Sequence, residues 1–198
     1  MFCRCTMVAL IFMFIVVGLP VIIIHAVAKH RGGSLTFTLE HASVTGFNLT
    51  SDGHLTSFFD VSIQANHTNF KKKLKYSGIR VSIFKNKQNL AENSLDKFTQ
   101  RKWNVTMLRS ESVALSVRLK QSPEFDLRFE SGLGYIDFDV FMTATLNGDN
   151  LEVNCKHAIV NITAAPYDVA ASPSTANSHG KFRSVLCSAY IYSNDNGP

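Results

Sequence analysis

Cys155 and Cys187 stand far from the other two cysteines of this 198-residue chain, Cys3 and Cys5, and the two pairs suit different chemistry. In an oxidising compartment an even pair within one domain most simply forms one disulfide; two buried core thiols are the alternative. Cys3 and Cys5 border an apolar run, where reversible S-acylation is accessible and would tune partitioning, an unmodified flank being the alternative. The single spacer in Cys3-Arg4-Cys5 is too short for zinc or redox motifs. Asp137 and Asp139 share one face of an alternating segment, an arrangement that invites general acid–base catalysis. A hydrolytic pair also needs a cleft and a set separation, and alternating acids are ordinary on a wet strand face. The seven histidines include no i,i+4 pair, and no nucleophile elbow, phosphate loop or zincin motif occurs. The residues therefore support no enzyme, cofactor or metal site.

The remaining polar signals concern surfaces. Lys71, Lys72, Lys73 and Lys75 form a compact basic cluster beside Phe70 and Tyr76. Such a patch would meet anionic lipid, acidic wall polysaccharide or an acidic protein; a solvated loop that guards a strand edge is the plainer reading. Charge is divided along the chain: residues 29–120 hold 15 Lys/Arg against 6 Asp/Glu, and residues 121–198 hold 4 against 9. No nucleic-acid-binding module accompanies the basic half, so nucleic acid is not an expected partner. Asn48, Asn66, Asn104 and Asn161 each begin an Asn-X-Thr sequon, which leans towards glycosylation and a domain outside the cytosol.

Met7 to Ile24 is an uncharged apolar run. Thr6 to Ala28, at about 1.5 Å per residue, spans roughly 34 Å, enough to cross a bilayer. The run exceeds an ordinary secretory h-region, so an uncleaved signal anchor is expected, although Ala26-Val27-Ala28 has the form of a cleavage site. Pro20 is tolerable in a membrane helix. The flanking charges, Arg4 against Lys29 and Arg31, do not decide orientation.

After this run the hydrophobic period becomes two, the mark of half-buried strands. Leu35, Phe37 and Leu39 alternate with polar residues, as do Phe59 to Ala65 and Ile79 to Ile83. Val113, Leu115, Val117 and Leu119 read as one face of another strand, and Phe125, Leu127 and Phe129 as a further strand. Ile136 to Leu146 ends in Asn147-Gly148, a strong hairpin signal, with a return strand from Leu151. Residues 164–182 read as a long loop before a last strand near Phe182 to Tyr192, and no segment after Ala28 reads as an amphipathic helix. Seven to nine short strands predict an all-β, antiparallel β-sandwich, fibronectin III-like, preceded by one N-terminal transmembrane helix. The expected organisation is a cytosolic tail at 1–5, a signal anchor at 6–28 and an extracytoplasmic domain at 29–198.

Several stretches together resemble the plant harpin-induced-like, non-race-specific disease resistance-like proteins, built on the group 2 late embryogenesis abundant domain. These are Cys3-Arg4-Cys5, Ala42-Ser43-Val44 with Phe47-Asn48, and Phe98-Thr99-Gln100 followed by Asn104-Val105-Thr106; Cys155 and Cys187 match a frequent C-terminal cysteine pair of the family. The resemblance covers nearly the whole chain. It departs at the family's Asn-Pro-Asn signature, where this chain has Asn66-His67-Thr68-Asn69, then Tyr76. Without the proline the turn is not preset, so properties that depend on it are not carried over.

The resemblance implies a non-enzymatic, single-pass glycoprotein of defence and stress response, whose sandwich recognises protein, wall polymer or lipid near the membrane. A protective or structural stress module without a specific partner is the alternative. The plasma membrane is the expected address and the endoplasmic reticulum membrane the alternative. Self-association as a homo-oligomer is left open.

Overall fold

The computed structural model describes residues 35–68, 73–162 and 182–193. The described residues form, in chain order, β1 (Leu35–Leu49), β2 (His54–His67), β3 (Leu74–Lys85), β4 (Gln88–Leu95), β5 (Phe98–Gln100), β6 (Val105–Arg118), α1 (Gln121–Gly132), β7 (Tyr135–Leu146), β8 (Asp149–Asn161) and β9 (Val185–Tyr192). Every strand pairing is antiparallel. The neighbours run β4-β3-β7-β8-β9-β1-β2-β6, with β5 added to β3. The all-β expectation therefore holds in its coarse form, and the sheet is curled into a nearly closed, barrel-like wall. The expected signal anchor at 6–28 lies outside the described residues, among which no helix is long and apolar enough to cross a membrane.

Closure depends on two devices. Strand β9 pairs with β8 through residues 188–192 and with β1 through residues 185–187, so one short strand joins the two halves. At the opposite seam the Gln88 amide, at the start of β4, donates to the Arg118 carbonyl and accepts from the Lys120 N–H, both at 2.8 Å. One side chain thus substitutes for a ladder step between the edge strands β4 and β6. The core fills the interior, where Phe59 and Phe138 meet edge to face with ring centroids 5.5 Å apart.

Strand alternation is interrupted by bulges, and each reverses which parity faces inward. In β1, Phe37 and Leu39 point inward before a register shift, and Ala42 and Val44 after it. In β8, Cys155 and then Ala158 are buried on either side of His157, whose φ is 59°. In β6, Ser116 at φ 51° separates buried Ala114 from buried Leu119. This corrects the expected single face of β6: Ser110, Ser112 and Ala114 point inward, whereas Val113 and Leu115 point out, Leu115 being 76% exposed. The β2 register imposes it, since Ser112 lies opposite the buried Phe59.

The second correction concerns residues 121–132, which form α1 and not a strand. Pro123 suits a first helical turn, Glu124 in that turn favours the helix dipole, and Arg128 pairs with Glu124 at i,i+4 and 2.8 Å. Its inward-facing side is narrow, with only Pro123 and Leu127 buried, so helical periodicity is barely written in the sequence. Phe125 and Phe129, four residues apart, share an exposed flank at 70% and 62%. Their two-residue spacing from Leu127 imitates a strand. Gly53 gives α1 its close approach, because a Cβ there would lie 2.6 Å from a Glu124 carboxylate oxygen.

Candidate functional site

The end of the barrel at which β1 begins is closed by a buried amide. Gln100, fully buried at the end of β5, donates through Nε2 to the carbonyls of Ala65 and Asn104 at 2.8 and 2.7 Å. Its Oε1 accepts from the Tyr76 hydroxyl at 3.0 Å. Tyr76 stacks on Phe98 with centroids 4.4 Å apart, and burial pushes its phenol well above the usual tyrosine range. The His67 N–H donates to the Asn104 carbonyl, completing a bridge from β5 to β2. Phe98, Gln100 and Asn104, taken in sequence as parts of a motif, thus act here as a structural clasp across the barrel mouth. A buried amide whose partners are all protein groups makes removal costly, because several polar groups would be left unpaired.

The clasp displays a basic and aromatic rim. Between Gln100 and Asn104 the chain turns outward through Arg101, Lys102 and Trp103, all exposed, Trp103 at 58% with φ 55°. Lys73 and Lys75, exposed at the start of β3, stand at the same end because Leu74 pairs with Gln100 and Lys75 with Thr99. The Lys75 N–H donates to the Asn147 side chain and Asn147 N–H to the Lys75 carbonyl, both at 2.9 Å, which ties the β7–β8 hairpin to this end. The hairpin is as expected, with φ 53° at Asn147 and 106° at Gly148. Strand β9 ends here too, since Asn150 pairs with Tyr192; Tyr190 and Tyr192 are 56% and 50% exposed. Beside Tyr192 runs a shallow groove of about 370 Å³, lined by Gly78, Thr143, Thr145 and Glu152.

Other expected sites fall elsewhere. Cys155 and Cys187 form a disulfide between β8 and β9 with Cα atoms 4.2 Å apart, which fastens the bridging strand and decides against two free thiols. Of the sequon asparagines, Asn48, Asn104 and Asn161 are exposed and Asn66 is half-buried, flanked in the sheet by Thr36 and Val105. Cys3, Cys5, Lys71 and Lys72 lie outside the described residues. Asp137 and Asp139 flank His157 of the adjoining bulge: its Nδ1 is 3.0 Å from an Asp137 carboxylate oxygen, and its N–H donates to Asp139. This cluster fixes a bulge on the outer surface. Among the described residues no group of three His, Cys, Asp or Glu side chains could hold a metal ion.

No family model matches the chain. It is 26% identical over 174 residues to a protein of Arabidopsis thaliana whose name is "Uncharacterized protein At1g08160", the match covering 83% of this chain and 78% of that relative.

Sequence reasoning found the lysines but missed Arg101, Lys102 and Trp103, which join them only because β5 folds back on β3. The available signal was the Arg-Lys-Trp tripeptide between two polar stretches. It also missed the tyrosines of β9, which read simply as strand residues.

Proposed function

We propose that this chain is a non-enzymatic, single-pass membrane protein whose fibronectin III-like β-domain recognises anionic partners close to the membrane, in the defence and stress responses of plants. The observation that carries the reading is the gathering of Lys73, Lys75, Arg101 and Lys102 on the barrel end from which the chain leads back to the apolar run at 7–24. Such a cluster attracts acidic surfaces without needing a shaped pocket. Support for a domain outside the cytosol comes from the Cys155–Cys187 disulfide, since such bonds persist in oxidising compartments, and from the exposed sequons at Asn48, Asn104 and Asn161. The plant setting and the plasma-membrane address rest on the resemblance to the harpin-induced-like, group 2 late embryogenesis abundant proteins.

The test is electrostatic. Full-length protein in detergent should bind immobilised polyanion at low salt, and reversing Lys73, Lys75, Arg101 and Lys102 to Glu should weaken that binding at least tenfold. Retained binding by the reversed variant would remove the recognition surface from the reading.

A further inference from the structure

We propose that the β-domain stands end-on against its own bilayer, the rim at the β1 end lying on the membrane surface with Trp103 and Tyr192 at headgroup depth. This rests on the reading of residues 6–28 as a membrane anchor and names the anionic partner as the lipid surface.

Three observations converge on it. The first is reach. Six residues separate Ala28 from Leu35, a span of at most about 25 Å when fully extended. Strand β1 has 15 residues, so at about 3.3 Å per residue its far end lies some 46 Å from Leu35, and turning that end to the bilayer would exceed the tether. The end carrying Leu35 is the one held near the lipid.

The second is chemistry. Trp103, Tyr190 and Tyr192 are large amphipathic rings left half or more exposed at that end, the residue types that settle at membrane–water interfaces. Lys73, Lys75, Arg101 and Lys102 stand at the same end, and their positive charge attracts anionic headgroups within a Debye length. Asp149, half-buried beside the hairpin turn, is an acid at the same end.

The third is rigidity. The Gln100 clasp and the Asn147–Lys75 hydrogen bonds hold the turn bearing Trp103, the start of β3 and the β7–β8 hairpin to one another. The rim therefore meets a flat surface already assembled.

Trp103 is the chain's one tryptophan, so its fluorescence reports on this rim alone. Full-length protein is reconstituted into vesicles of phosphatidylcholine with about 30% phosphatidylglycerol, a content that gives a strongly negative surface. Co-flotation that resists alkaline carbonate tests the anchor; quenching of Trp103 by brominated lipid and protection from aqueous acrylamide test the docking. The expected result is flotation, lipid quenching and at least twofold protection from acrylamide. Reversing Lys73, Lys75, Arg101 and Lys102 to Glu should leave flotation intact and lower the quenching by half or more. Flotation with Trp103 unquenched by lipid and open to acrylamide would overturn the docking while leaving the anchor standing. Failure to float would overturn the anchor, and the docking with it. Loss of lipid quenching on addition of polygalacturonate would assign the rim to an acidic polysaccharide instead and overturn the lipid assignment.

Discussion

His157 shows how a backbone irregularity and a charge pair can share one residue. Its positive φ places the ring where Nδ1 faces Asp137, while its N–H is satisfied by Asp139. The hydrogen bond to Asp137, then that carboxylate's charge, raises the imidazole pKa above its ordinary 6.5. The folded protein thus holds this proton more tightly than the unfolded chain. The contribution is fully present below about pH 6.5 and is lost as pH rises through the higher folded value. With the ring 76% exposed, the effect on stability is small. A histidine-resolved NMR titration should give a midpoint above the ordinary value, and Asp137→Asn should bring it down. An unchanged midpoint in that variant would remove Asp137 as the cause. The two aspartates were legible in the sequence as a same-face pair; their partner was not, because His157 reaches them only across the β7–β8 ladder.

Helix α1 is fastened at its C-terminal end by one buried ionic clasp. Lys85, at the end of β3, donates to Glu130 and to the Asp137 carbonyl, and the other Glu130 oxygen accepts from the Asp137 N–H at 3.0 Å. The ion pair is almost fully buried, at 7% and 14% side-chain exposure, so removing one partner leaves a charge without compensation. Lys85→Met or Glu130→Gln should destabilise the protein by about 3 to 5 kcal/mol, and the paired change to Met and Leu by clearly less. Urea unfolding midpoints decide this. Replacing exposed Phe125 by Ser serves as the surface control, with a change within about 0.5 kcal/mol. Equal effects of the Lys85 and Phe125 changes would mean that the clasp does not anchor the helix. The same element shows where sequence reading fails. Phe125, Leu127 and Phe129 have a strand's spacing, while the helix takes its support from Lys85, 45 residues from Glu130, which no local pattern reveals.

At the scale of the whole molecule, the nearly closed sheet depends on β9, which has three partners in β1 and five in β8. The disulfide fastens this short strand across a sequence separation of 32. Replacing Cys155 and Cys187 together by Ser should lower stability by about 3 to 4 kcal/mol, from the restored freedom of the unfolded loop. In hydrogen exchange the amides of β9 and the β1 residues facing it should lose protection first, while the β2–β6 ladder keeps it. Uniform loss across all strands would show that β9 is not a separate closing element. The dominant β character, the inward faces of β2 and β7 and the Asn147-Gly148 turn were legible along the chain, because alternation and turn chemistry act within a few residues. The reversals of facing in β1, β6 and β8 arose in the assembled sheet, since a bulge answers to the register of the neighbouring strand. That assembly also brought Lys73 and Lys75 to Arg101, Lys102 and Trp103, and all of these to the end where β9 finishes. Those approaches arise from pairing between distant strands, whose register is set by packing the common core.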